Sequence, residues 1–103
     1  MAGARGGGGM TDVDGEVRSL RDVRADIALV DAQIIEIIAR RMALVREVGA
    51  AKRATGQPVI DPAREAEVVA RASALAREVG LPEDEVRALY RQLMAMARRV
   101  QRE

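Results

Sequence analysis

The chain contains no cysteine, no histidine, no tryptophan and no phenylalanine. Without cysteine there is no disulfide and no thiol nucleophile, and without both residues the usual zinc ligand sets drop out. The commonest general acid and base, histidine, is also missing. Tyr90 is the one aromatic residue, so a core has to come from Leu, Ile, Val, Met and Ala. Basic and acidic residues number 17 and 16, a net charge of +1. That balance gives no global field to attract nucleic acid or an anionic membrane, and one aromatic offers no stacking platform. No apolar run approaches the roughly 20 residues that a membrane span needs. The opening MAGARGGGGM lacks the apolar segment of a secretory signal, and we expect a cytoplasmic protein. Any enzyme made from this chain works through Arg, Lys, Glu, Asp and Gln, and we expect neither a metal nor a cofactor.

Lysine is nearly absent as well. Lys52 stands alone, and the other basic residues are all arginine. A single lysine in so arginine-rich a chain points to a place where a compact ammonium is wanted and a planar guanidinium is not.

At 103 residues the chain suits one domain, and 49% hydrophobic with 32% charged residues suits a strongly amphipathic helical one. Residues 1–14 read as a disordered Gly-rich tail, because five of the nine glycines fall there before residue 10. Gly6 to Gly9 resemble a phosphate loop only superficially, since no strand precedes them and no GK[ST] follows. Residues 15–103 read as one helical domain. From about Gly15 to Thr55 apolar residues recur at Leu20, Val23, Ile27, Val30, Ile34, Ile37, Leu44, Val48 and Ala51. The alternating spacing of three and four predicts one very long helix. A rod of about 40 residues measures about 60 Å, too long to be buried by two shorter helices of its own chain. Its length predicts an intertwined homodimer. Gly56-Gln57-Pro58 ends the rod, and Asp61 followed by Pro62 predicts a second helix over 62–79 with Gly80 after it. Leu81-Pro82 opens a third helix that runs to the C-terminus on Val86, Leu89, Tyr90, Leu93, Met96 or Ala97, and Val100. The fold class is all-α, with three helices per chain and no β signal.

Several polar residues fall on apolar faces. Arg41, Val45, Val48 and Lys52 share one face of the first helix, with Arg41 and Lys52 about 16 Å apart along its axis. Two long cationic side chains at that separation bracket one small anion; a structural ion pair for Arg41 and a solvated Lys52 would be the plainer account. Arg24 points about 100° away from Arg41 and serves a pocket in a partner chain more easily than in its own; a solvated arginine on the flank of the seam would be the plainer account. Glu65 shares a face with Val68, Val69 and Ala72, where a helix-dipole carboxylate in a fraying first turn is the plainer account. Gln101 continues the stripe of Tyr90, Leu93, Met94 and Ala97, as a buried hydrogen-bonding group or as part of a frayed terminus. Together these residues suit binding a small polyanion and stabilising charge in its transition state.

The run VRADIALVDAQIIEIIARRMALVREVGAAKRATGQPVIDPAREAEVV resembles the all-helical, AroQ-class chorismate mutases. The matching positions are Arg24, Asp31, Arg40-Arg41, Val48-Gly49 with Lys52, and Pro58-Val59 with Asp61, Arg64 and Glu65. The resemblance extends from about residue 18 to the C-terminus, and Gln101 falls where the family carries a glutamine late in the third helix. It implies three helices per chain, two interlocked chains and two active sites. The implied reaction is the rearrangement of chorismate to prephenate in phenylalanine and tyrosine synthesis, a pericyclic step that needs no nucleophile. By resemblance, Arg41 and Arg24 of the partner subunit hold the substrate carboxylates. Lys52 and Gln101 hydrogen-bond the ether oxygen. Glu65 and the Asp61 region receive the ring hydroxyl, and Arg64 helps order the site. A neutral amide at Gln101 implies no acid-shifted pH optimum. Two positions depart from the pattern: Ala97 stands where some relatives have a serine, and Ile60 where some have an arginine. Both lighten the grip on the anion.

Three other readings fit the residues. A 4-amino-4-deoxychorismate mutase pairs Glu65 with an amine in place of the hydroxyl. An isochorismate pyruvate lyase fits less well, given Asp61 and Glu65. A non-catalytic helical dimer that depends on an activating partner protein is the third.

Overall fold

The computed structural model describes residues 17–103; the expected tail over 1–14, and Gly15 at the expected helix start, lie outside them. Three helices follow in order: α1 (Leu20–Ala54), α2 (Pro62–Glu78) and α3 (Glu83–Gln101). Among the described residues there is no strand, so the all-α expectation holds. No helix among the described residues is long and apolar enough to cross a membrane.

The helix boundaries have local causes. α1 begins at Leu20 rather than near Gly15 because Ser19 caps it. The Ser19 hydroxyl accepts from the Asp22 N–H at 3.1 Å, and the Ser19 carbonyl from the Val23 N–H at 3.1 Å. Its far end closes in a Schellman motif, in which the Gln57 N–H reaches the Lys52 carbonyl at 2.9 Å and the Gly56 N–H the Arg53 carbonyl at 3.3 Å. Gly56 takes the left-handed φ of 72° that this motif needs. Asp61 caps α2 by accepting from the Arg64 N–H at 3.1 Å, with Pro62 in the first turn. α2 ends one residue earlier than expected, with Val79 as its C-cap. A second Schellman motif closes it, from the Leu81 N–H to the Ala76 carbonyl at 2.8 Å and the Gly80 N–H to the Arg77 carbonyl at 3.3 Å. α3 opens at Glu83 with Glu83, Asp84 and Glu85 in its first turn, where carboxylates offset the helix dipole.

The chain divides into two compact units, one ending at Ile38 and one spanning Ala39–Glu103. In the first, the stripe Leu20, Val23, Ile27, Val30, Ile34 and Ile37 is exposed throughout, at 37–65% of each residue's surface. The core lies in the second unit, in Met42, Ala72, Ala76, Met94, Ala97 and Val100. Half of these are alanine, which lets the helices approach closely there.

This core does not take in every residue of the apolar stripes. Leu44, Val48, Leu75, Val79 and Leu89 belong to the expected apolar stripes, yet each is exposed. On α1 the face turned inward is Met42, Val45, Gly49 and Lys52, all buried or half-buried. It is offset from the stripe that carries Leu44 and Val48, so α1 has two apolar faces and a single periodic seam does not describe it.

Candidate active site

Within residues 39–103 a cavity of about 300 Å³ opens between the C-terminal half of α1, α2 and α3, a volume at the lower end of the range for small-ligand sites. Its apolar wall is Leu44, Val45, Val48, Val68, Met94 and Ala97. Its polar lining is Arg41, Lys52, Arg64, Glu65 and Gln101. Three cations face one carboxylate, so the cavity favours an anionic guest.

Lys52 is half-buried, and its ammonium donates to the Val59 carbonyl at 3.1 Å. That carbonyl sits on the segment between α1 and α2, so it fixes the direction of the side chain. An ammonium has three donors, which leaves capacity for a ligand in the cavity.

Gln101 is the last residue of α3 and is half-buried. Its backbone is pinned to α1: the Arg53 guanidinium donates to the Gln101 carbonyl at 2.6 Å and to the Glu103 carbonyl at 3.3 Å. Arg46 pairs with the Glu103 carboxylate at 2.9 Å. Gly49 makes this approach possible. A Cβ there would stand 2.8 Å from the Gln101 carbonyl oxygen and 3.3 Å from its Cα. A frayed terminus, one reading of Gln101 from sequence, is therefore not what forms.

Glu65 borders the cavity with its side chain 19% exposed. The Arg98 guanidinium grips it from α3, with Nε 3.0 Å from each carboxylate oxygen and Nη2 2.5 Å from Oε1. These hydrogen bonds hold the Glu65 carboxyl below its ordinary value; desolvation and the Asp61 carboxylate push the other way, and the Lys52 charge assists. Glu65 is thus a carboxylate at neutral pH, able to accept.

The sequence-derived residues do not all gather. Arg41, Lys52, Arg64, Glu65, Ala97 and Gln101 line the one cavity. Asp61 does not line it; its carboxylate is used as the α2 cap, beside Arg64. Arg24 belongs to the exposed first unit and is not among the lining residues. Sequence reasoning missed the supporting roles of Arg98, Arg53 and Gly49. Gly49 carried a signal, since a glycine inside a helix costs about 1 kcal/mol against alanine and calls for a packing reason. Nothing in the sequence joined Arg98 to Glu65, 33 residues away.

A larger groove of about 580 Å³ runs along the other side of α2 and α3, lined by Arg87, Arg91 and Arg98 with Ala66, Val69 and Ala95 among others. It touches Glu65 and Met94 but neither Lys52 nor Gln101. Two of its arginines, Arg87 and Arg98, are already engaged with carboxylates.

Comparison with known proteins bears on this geometry. Residues 23–102 match the family described as chorismate mutase type II. The T-protein of Enterobacter agglomerans is 35% identical over 78 residues, covering 76% of this chain and 21% of the relative. The T-protein of Haemophilus influenzae is 37% identical over 49 residues, covering 48% of this chain and 13% of the relative. The chain therefore spans about a fifth or less of the length of these curated relatives. No solved structure matches it.

Proposed function

We propose that this chain, which belongs to the chorismate mutase type II family, converts chorismate to prephenate in the cavity lined by Arg41, Lys52, Arg64, Glu65 and Gln101. The observation that carries the reading is the meeting of Lys52 and Gln101, donors from two helices, in one small cavity with two further cations.

The reaction is unimolecular. One C–O bond breaks as one C–C bond forms, and no proton is transferred. Catalysis then comes from holding a compact conformer and from stabilising the negative charge that develops on the ether oxygen. Arg41 and Arg64 grip the substrate carboxylates through charge-assisted hydrogen bonds. The Lys52 ammonium, aimed by the Val59 carbonyl, and the Gln101 amide donate to the ether oxygen. Glu65 accepts from the ring hydroxyl. The apolar wall keeps water from competing for these donors.

The active form in this reading is a homodimer. Support comes from the six exposed apolar residues between Leu20 and Ile37, which a second copy of α1 would cover. Arg24 of the partner subunit then completes the carboxylate grip. Mixing Arg24→Ala chains with Lys52→Ala chains tests this arrangement. In a mixed dimer one of the two sites receives both wild-type residues, so random exchange restores about a quarter of wild-type activity. Mixtures as inactive as their components would refute the shared site.

The reaction itself is tested by following loss of chorismate absorbance and identifying the product. Rapid formation of prephenate is expected. A folded protein that leaves chorismate unchanged would overturn the reading.

A further inference from the structure

Glu65 stands between two environments. It borders the cavity, and it also borders the outer groove in which Arg98 lies. Arg98 is 48% exposed and comes to Glu65 from outside the cavity, of which it is not a lining residue. We propose that Arg98 is a specificity-determining positioning residue, which neutralises Glu65 from behind and so tunes the site for a neutral hydroxyl over an ammonium on the substrate ring. The proposal rests on the mutase reading and narrows its substrate.

The argument is one of charge and lone pairs. Glu65 Oε1 accepts twice from Arg98 and Oε2 once, which leaves Oε2 a second acceptor position. A hydroxyl in the cavity therefore still finds an acceptor, held in a fixed direction. An ammonium needs more. Moving it out of water is offset only by an uncompensated negative charge close by, and Arg98 has already compensated this one. The remaining charged groups around Glu65 do not reverse the balance. Lys52 on α1, with Arg41 and Arg64 in the same lining, adds positive charge. Asp61 is negative, but it serves as the α2 cap. An aliphatic amine is largely protonated at pH 7, so the 4-amino analogue of chorismate brings a cation into a site already rich in them.

Removing the Arg98 charge leaves Glu65 uncompensated on that side and favours the amine. A purely structural ion pair behaves differently, since its loss loosens the site for both substrates alike. The test is the ratio of kcat/KM for chorismate to that for its 4-amino analogue, in wild type, Arg98→Met and Arg98→Lys. Wild type is expected to favour chorismate. Arg98→Met is expected to move the ratio toward the amine by about tenfold, and Arg98→Lys, which keeps the charge, to retain most of the wild-type ratio. If Arg98→Met melts early, Arg98→Gln carries the same test, because it keeps N–H donors without the charge. An active Arg98→Met enzyme whose two rates fall by the same factor, or do not change, would overturn the proposal alone. Wild-type protein that converts neither compound would overturn the mutase reading, and this proposal with it.

Discussion

The two ends of the α2–α3 pair use the same chemistry to different effect. At the turn end, the buried Ser73 hydroxyl donates to Glu83 at 3.1 Å and accepts from Arg87 at 2.6 Å. Arg77 closes on both Glu83 oxygens at 3.0 and 3.1 Å, and Arg87 also pairs with Asp84. Each of these groups is answered by another within the cluster. At the cavity end, Glu65 and Arg98 are matched, but among the described residues the Arg41 guanidinium and the Gln101 amide have no hydrogen-bond partner. A polar cluster that satisfies itself locks two helices together. Donors left over at the wall of an apolar cavity are what a ligand can use.

Substitutions at the two ends should therefore separate activity from stability. Gln101→Ala is expected to lower kcat by about 10² while leaving the thermal transition nearly in place, because its backbone anchors to Arg53 remain. A comparable fall in Tm would place Gln101 among the structural groups. Gly49→Ala acts through Gln101. Its Cβ would press on the Gln101 carbonyl, so about a tenfold loss of kcat is expected together with about 1–3 kcal/mol of destabilisation, readable in a denaturant titration. At the turn end, Ser73→Ala should reduce stability by about 1–2 kcal/mol, as the buried hydroxyl's two bonds are lost, with turnover unchanged. Lost turnover in a folded Ser73→Ala protein would erase the distinction between the ends.

The smallest effect is on pH dependence. Hydrogen bonds from Arg98 hold the Glu65 carboxyl below its ordinary value, and those from Arg77 and Ser73 do the same to Glu83. For a lowered folded-state pKa, the stabilisation is fully present above the ordinary glutamate value and is lost as pH falls through the folded one. Tm should thus decline on acidification below that range. Arg98→Met should flatten the part that belongs to Glu65, and a Tm profile identical to wild type would show that the pair contributes nothing to acid stability.

Much of this was legible in the chain. The three helices, Asp61 as a cap and Gly80 beyond α2 follow from helical period and turn chemistry, which are local; that Arg41, Lys52, Glu65 and Gln101 belong to one site came from the family resemblance. What was not legible depends on which face of a helix meets which neighbour. The apolar stripe through Leu44 and Val48 did not show that the face of α1 turned toward its own chain is Met42, Val45 and Gly49, because the closest approach selects the smallest residue. Arg98 looked like one more surface arginine, since an ion pair 33 residues apart leaves no periodic trace.

The most direct test compares chorismate turnover by wild type and Lys52→Ala, each checked for helicity and Tm. Lys52 is half-buried near the end of α1, and among the described residues its ammonium makes one hydrogen bond, to Val59. A fall in kcat of about 10²–10³ in a protein that melts close to wild type is expected. Normal turnover by a folded Lys52→Ala protein would contradict the account.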